Sequence, residues 1–422
     1  MKTRRQHVSE DDVTVCRRNT RPKTTSINGG ENALPIPIDL VFEIFSRLSA
    51  TSVAICRCVS KLWASTLGCQ DFKELFLKRS SACPQLLFVV GQNFDVFSFF
   101  SSPQLQNPDA NSSHAVATRL MHFPFDSFYE MSGGSVHGLV CLVYNKQIPK
   151  GRKETVPVIC NPSTGQSLTL PKVRTKRVNV ISYLGYDPVG KQFKVLSMTW
   201  PILGNQKGMC GEHQVLTLGP GKLSWRLIDC SAVPHGILYN ENRICINGVL
   251  YYQAWVLGFS KVIICFDVSS EKFTVINLDK GMVRWHEPTL VNYKGKLGAL
   301  TASDFGSFRT VSGDTECLQL WVLVDAEKHE WLKYTYVLPP LWKNVVGNAR
   351  LHFVGLTGTN EIVLSSDDPS GPFCVFYYNF ESQTVRKVEM QGIHVVTNPT
   401  VHIFVDHVEN VKLMEMFLPR VS

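Results

Sequence analysis

Between Ile38 and Leu48 the chain carries more apolar positions than one helix face can use. At about 100° per residue, Asp39, Glu43, Ser46 and Arg47 fall within an arc of roughly 100°. Ile38, Leu40, Val41, Phe42, Ile44, Phe45 and Leu48 spread over about 200°. A helix packed on a single core needs a stripe nearer 100°. The pattern therefore predicts a helix with two apolar partners, its own short bundle and a second surface. Ser49 or Ser52 is placed to cap a second helix and Ser60 a third. Glu43 and Arg47 stand in the favourable i, i+4 order. Residues 71–77 read as a connecting helix with Phe72, Leu75 and Phe76 on one side. A module of about forty residues buries too little surface to be stable alone.

From Leu86 onward the period changes to short β runs separated by Gly, Asn, Asp and Pro. The runs repeat. Phe266-Asp267-Val268-Ser269-Ser270-Glu271-Lys272-Phe273 resembles Val324-Asp325-Ala326-Glu327-Lys328-His329-Glu330-Trp331, and Tyr378-Asn379 and Cys160-Asn161 open the same frame. In each, an Asx side chain is placed to hold a turn by accepting from its own downstream backbone. With Asn161, Gly219, Asp267, Asp325 and Asn379 as markers, the steps are 58, 48, 58 and 54 residues, near the ~50-residue period of kelch-type blades. His137-Gly138, Asn247-Gly248 and Lys294-Gly295 mark further tight turns, where glycine supplies a positive φ.

A lone blade cannot bury both of its faces, so the repeats predict a radial β-propeller. Blades are expected near residues 86–125, 136–170, 178–228, 243–278, 289–338 and 350–389. Residues 401–405 and 412–418 would return to complete the first blade. Six is the count, and the degenerate repeats leave five or seven open.

Composition refines this only a little. Of 422 residues, 44% are apolar and 18% charged, which fits a folded chain. The net charge of +8 is mild, and residues 1–33, with seven Lys/Arg against four acidic groups, read as a disordered basic tail. Thirteen cysteines without a Cys-x-x-Cys pair point to free thiols in a reducing compartment and not to a zinc or disulfide framework. No apolar run follows Met1 and none reaches transmembrane length, so no secretory signal or membrane partner is expected. The sequon at Asn111-Ser112-Ser113 is expected to be idle.

Two family resemblances follow from these residues. Ile36-Pro37-Ile38-Asp39-Leu40-Val41 through Cys58-Val59-Ser60-Lys61-Leu62-Trp63 resembles an F-box. The usual opening is Leu-Pro-x-Asp-Leu; Ile36 stands in place of that Leu, and Leu34-Pro35 offers a second copy out of register. Tyr183-Leu184-Gly185-Tyr186-Asp187-Pro188 with Phe193-Lys194-Val195, and Asn161-Pro162-Ser163-Thr164, resemble the signatures of plant F-box-associated domains. The resemblance implies a multi-domain α+β chain. A small all-α F-box module over residues 34–80 would precede an all-β, kelch-like, propeller-like domain of about six blades over residues 86–418.

It further implies the substrate-recognition subunit of a Skp–cullin–F-box ubiquitin ligase, acting in the nucleus, the cytoplasm or both. Its partners would be a Skp-type adaptor, through it cullin and RING subunits, and a target protein held by the propeller. Pro37, Ile38, Leu40, Ile44, Leu48, Val59 and Trp63 are the expected adaptor-binding residues. Leu40, Ile44 and Leu48 would share one helix stripe, and Trp63 would supply a large buried ring.

Enzyme motifs are approached but not met. Gly185-Tyr186-Asp187-Pro188-Val189-Gly190-Lys191 has phosphate-loop spacing, yet Gln192 stands where the Mg²⁺-binding Ser or Thr belongs, and a strand follows in place of a helix. Gly133-Gly134-Ser135-Val136-His137 has His where a nucleophile elbow needs its last Gly. His286-Glu287 lacks the second His of a zinc-protease helix. No catalytic, cofactor-binding or metal residue is expected. The alternatives are a propeller enzyme or lectin, and a scaffold that binds an adaptor without supporting ubiquitin transfer. The blades' Lys and Arg read as dispersed, which places nucleic acid last. The aromatics of Tyr251-Tyr252-Gln253-Ala254-Trp255 and Leu341-Trp342-Lys343 are candidates to border one propeller face.

Overall fold

The structure, a computed structural model, describes residues 36–92, 96–104, 113–124, 128–148, 152–175, 179–200, 212–230, 235–237, 243–256, 260–282, 288–303, 310–366, 372–393 and 400–412. The tail, the sequon asparagine, His286-Glu287 and residues 413–418 lie outside these. Four helices come first: α1 (Ile38–Phe45), α2 (Ala50–Arg57), α3 (Lys61–Thr66) and α4 (Gln70–Ala82). The chain divides into two units inside α1, Met1–Val41 and Phe42–Ser422.

The expected helix over 38–48 ends earlier. After Phe45 the Arg47 and Leu48 amides donate to the Ile44 and Phe45 carbonyls, a tightened last turn. Ser46, placed on the polar arc by its position, is buried and donates its hydroxyl to the Glu43 carbonyl.

Six sheets follow, one per blade, antiparallel but for one added edge strand. From the axis outward, blade 1 is Thr400–His407, Gln85–Gln92, Val96–Pro103 and Thr118–Pro124; blade 2 is Phe128–Val136, Leu139–Ile148, Arg152–Asn161 and Gln166–Thr169. Blade 3 is Asn179–Asp187, Gln192–Trp200, His213–Leu218 and Arg226–Ile228. In blade 4, His235–Ile237 and Arg243–Ile246 both pair with Val249–Val256, which precedes Ser260–Asp267 and Phe273–Asn277. Blade 5 is Thr289–Tyr293, Lys296–Ala302, Cys317–Asp325 and Glu330–Val337; blade 6 is Leu351–Leu356, Glu361–Ser366, Cys374–Asn379 and Thr384–Gln391. Contacts between consecutive inner strands close the ring.

Closure is double. Thr400–His407 pairs with Gln85–Gln92, so the last described strand supplies the innermost strand of the first blade. His114–Val116, from the chain of blade 1, adds in parallel to the outer edge of blade 6. The first exchange was legible from the returning apolar run; the second was not. Of the second expected return, 412–418, only Lys412 is described, and it lies outside any strand.

The packing explains why the strands read as continuous apolar runs. Leu86, Phe88 and Val90 join a cluster with blade 6, while Leu87 and Val89 on the other face join one with blade 2. Each of the six core clusters bridges two neighbouring blades. Alternate residues thus serve different neighbours, and both faces are apolar.

The marker residues hold their turns as their chemistry predicts. Asp267, Asp325 and Asn379 accept from backbone amides three residues on, at 2.6–3.0 Å. His137-Gly138, Asn247-Gly248 and Lys294-Gly295 have positive φ at both positions, the geometry of a two-residue hairpin turn. One aromatic segment sits differently from its expected place. Trp342 lies in a short helix, α5 (Pro340–Val346), fully buried, with Nε1 donating to the Ser312 carbonyl (2.8 Å). Of the Tyr251–Trp255 run, Tyr252, Gln253 and Ala254 are buried.

Candidate functional site

Helix α1 begins where the Pro37 carbonyl accepts from the Leu40 and Val41 amides. Ser49 caps α2 by accepting from the Ser52 amide, and Ser60 caps α3 by accepting from that of Trp63, both at 3.2 Å. The apolar arc of α1 then splits. Phe42 packs on Phe72 of α4 with centroids 5.5 Å apart, and Phe45 meets Trp63 of α3 edge-on at 4.8 Å. Phe72 and Phe76 complete this small core. Glu43 accepts from Arg47 (2.7 Å) and from Arg79 of α4; these hydrogen bonds hold its carboxyl below the usual range.

The other half of the arc faces solvent. Leu40 and Ile44 are each 53% exposed, and Pro37, Ile38, Leu48 and Val59 are exposed as well. Leu40 and Ile44 share a stripe by their i, i+4 spacing, whereas Leu48 lies beyond the end of the helix. Trp63 is not the buried ring expected from sequence: one edge packs on Phe45 while 38% of the residue stays accessible. Ile36, Ile55 and Leu62 are exposed apolar residues outside the set expected to bind the adaptor. Leu62 had a signal, since it falls between the matched Val59 and Trp63. Soluble surfaces seldom gather so many large apolar side chains without a partner.

The helices of Phe42–Ser422 are tied to blade 2 by the chain that leaves the ring-closing strand. Ala50 N–H at the start of α2 donates to Glu409 Oε1 (3.3 Å), Glu409 N–H donates to Ser80 Oγ of α4 (2.6 Å), and Arg57 donates to the Val411 carbonyl (3.3 Å). On the blade side, Asn161 Nδ2 donates to the carbonyls of Asn410 and Lys412, both at 2.9 Å. Asn410 Nδ2 in turn donates to the His137 carbonyl (2.6 Å). Burial raises the Glu409 carboxyl above its ordinary range.

The enzyme-like motifs resolve into structural parts. In the phosphate-loop-like segment, Asp187 Oδ1 accepts from the amides of Val189 (2.9 Å) and Gly190 (3.0 Å). Those amides would be the anion ligands of a true phosphate loop, and here the chain's own carboxylate occupies them. Burial opposes ionisation of Asp187, but hydrogen bonds from Ser269 and the Gly190 and Val189 amides, with Lys194 nearby, pull its carboxyl down to about 2. Ser135 Oγ is hydrogen-bonded to His407 Nδ1 at 2.8 Å, yet His407 Nε2 is buried without a partner. A catalytic triad needs the base's second nitrogen held by an acid, and that element is missing from this pair. Among the described residues no three His, Cys, Asp or Glu side chains group as metal ligands. No described helix is long and apolar enough to cross a membrane.

Comparison with known proteins agrees with this architecture. Residues 34–75 match the F-box domain and residues 85–408 the F-box associated beta propeller domain. The chain is 49% identical over 419 residues to the F-box protein DOR of Arabidopsis thaliana, covering 98% of this chain and 100% of that protein. It is 46% identical over 416 residues to F-box protein At5g65850 of the same plant, covering 98% and 99%. The WD40 domain of SCAP from fission yeast superposes with a TM-score of 0.31 at 9% identity, over 75% of this chain and 89% of that one, too slight a likeness to carry an argument. With both domains matched and near-full-length relatives of this identity, the chain belongs to the F-box proteins that carry an F-box associated beta propeller domain.

Proposed function

We propose that this chain is the substrate receptor of a Skp–cullin–F-box ubiquitin ligase. The observation that carries the reading is the division of α1: Phe42 and Phe45 satisfy the internal core, and Leu40 and Ile44 remain in solvent. Pro37, Ile38, Leu40, Ile44, Leu48, Val59 and Trp63 are assigned to the adaptor contact, with Leu62 and Ile55 added from their exposure. The adaptor would cover this apolar surface and bring the cullin and RING subunits with it. The propeller would hold the target protein, for ubiquitination and then degradation, in the nucleus or cytoplasm.

In this role the chain performs no bond chemistry. It raises the effective concentration of a target lysine near a conjugating enzyme held elsewhere in the complex. The fastening of α2 and α4 to residues 409–411 suits that task, because a fixed receptor holds its target at a defined place.

Co-purification with a Skp-type adaptor tests the assignment. Leu40→Asp and Ile44→Asp each put a charge on the exposed stripe and should abolish capture, with the unfolding temperature of the propeller unchanged. Full capture by both variants would refute the docking surface. If capture is lost as expected, transfer of ubiquitin to a bound protein in the reconstituted complex separates a receptor from a scaffold.

A further inference from the structure

The positive charge of this chain is concentrated. Residues 146–177 hold eight Lys/Arg against Glu154 alone, a surplus of seven within a whole-chain net charge of +8. In sequence these residues fall into two groups separated by the turn and outer strand of blade 2, and so read as dispersed.

Of these residues the fold brings Lys146 of the first group beside Lys172 and Arg174 of the second. Leu139–Ile148 and Arg152–Asn161 form a long hairpin in which Lys146 stands opposite Glu154, Gln147 opposite Lys153 and Ile148 opposite Arg152. The next strand, Gln166–Thr169, pairs only as far as Val158. The chain then returns beside the hairpin, with the Leu170 amide donating to the Pro157 carbonyl (2.9 Å) and Lys172 Nζ 2.8 Å from Glu154 Oε1. Val173 is buried in the core between blades 2 and 3, and the Arg174 carbonyl accepts from Gln214 Nε2 (2.8 Å). Lys146, Lys172 and Arg174 are thus exposed on a fixed backbone, and the one acid among them is already paired.

The rim is also clear of the helices. The segment holding α2 and α4 meets blade 2 at His137 and Asn161, where the hairpin begins. The ten-residue strand Leu139–Ile148 runs from there to the rim, roughly 30 Å at about 3.3 Å per residue. An adaptor on the helices would leave it open.

We propose that this basic rim of blade 2 binds an acidic segment of the target protein. The proposal rests on the substrate-receptor reading, which requires a polypeptide partner. Charge complementarity supplies the match: a fixed basic surface attracts and orients an acidic chain and repels a basic one. A nucleic acid fits less well. Tyr144, the aromatic of the hairpin beside Lys146, is turned into edge-to-face contact with Phe123, so no base-stacking platform accompanies the described charges.

The test uses the full chain in complex with a Skp-type adaptor and a fluorescein-labelled oligoglutamate peptide, read by fluorescence anisotropy. The triple variant Lys146→Glu, Lys172→Glu, Arg174→Glu should weaken binding by at least about tenfold. The same charge change at exposed lysines of other blades, Lys222→Glu, Lys280→Glu and Lys296→Glu, should alter it less than about twofold, because screening confines the effect to nearby charges. No peptide binding, or equal loss in both triples, would overturn the proposal. So would tighter binding of oligothymidylate or of phosphatidylserine vesicles at the same salt. Adaptor capture is measured on the same preparations: its failure with peptide binding intact counts against the receptor reading and not against the rim.

Discussion

Lys194 Nζ of blade 3 donates to the Val268 carbonyl of blade 4 at 2.7 Å. The same ammonium reaches Glu271 Oε1 at 2.8 Å and lies 3.7 Å from Asp187. Asp187 in turn accepts from Ser269 Oγ. The Asp and Lys of the Gly-Tyr-Asp-Pro…Phe-Lys-Val signature therefore clamp one blade onto the outer turn of the next. That signature marks how the ring is assembled, not a catalytic centre.

Lys194→Met should be strongly destabilising. It keeps the aliphatic stem but leaves the Val268 carbonyl and Asp187 without the ammonium, while Glu271 keeps only Arg226, a loss of about 3 kcal/mol for breaking a buried pair. Thermal unfolding of Lys194→Met, of Glu271→Gln and of the double variant checks this. The double variant should recover part of the loss, and additive losses would exclude the coupling.

How much of this was open to a reader of the sequence depended on how local the cause was. The turns of Asp267, Asp325 and Asn379 involve amides two or three residues away, so the residue type announces the structure. The apolar run Leu86–Val90 is equally local and announced a strand. By contrast, Asn161 finds its partners 249 and 251 residues later, at Asn410 and Lys412, and no local pattern reports that. The exposure of Trp63 was misread because a large aromatic is usually core, and the helix end at Phe45 because apolar spacing continues to Leu48. The basic rim was missed because the returning chain joins charges that sequence separates.

Gly248 combines two constraints, and Gly248→Ala should violate both. Its φ is +84°, the left-handed region that a side chain disfavours, and a Cβ there would lie 2.6 Å from Pro188 Cδ of blade 3. A loss of about 1–3 kcal/mol is expected from the strained backbone together with displacement of the neighbouring turn. Gly165→Ala is the control, since its φ is +70° with nothing within 4 Å of the added carbon. A smaller shift in unfolding temperature for Gly165→Ala isolates the contact with Pro188; equal shifts would argue against it.

His407 should make stability depend on pH. Burial lowers its imidazole from 6.5 to about 4, so the folded chain keeps it neutral where the unfolded chain takes up a proton. Stability is unaffected above pH 6.5, falls as pH drops below 6.5, and stops falling near pH 4. Between pH 7.5 and pH 5 the loss should be about 2 kcal/mol from linkage. His407→Gln, which keeps a polar group for Ser135, should flatten that part of the profile in denaturant titrations. Parallel profiles for the two proteins would remove His407 as the cause.

Asn161→Ala should loosen the helices while leaving the blades paired. The substitution removes the donors to the Asn410 and Lys412 carbonyls, the first of them buried, and the acceptor that holds the Ser163 amide, at about 1–3 kcal/mol for each buried group left unsatisfied. The strands of blade 2 keep their ladder, since every pairing there is made by backbone atoms. Freed from Asn161, residues 409–411 would hold Ala50, Ser80 and Arg57 less firmly. Amide hydrogen exchange should therefore rise in α2 and α4 before it rises in Leu139–Ile148, and unchanged helix protection would show that the clamp does not couple them. Under the proposed receptor role, adaptor capture and target capture should each survive this change, because neither proposed surface contains Asn161. In that role ubiquitin transfer should fall instead, because it depends on how firmly α2 and α4 are held to the blades, which the Asn161–Asn410 contact helps to do.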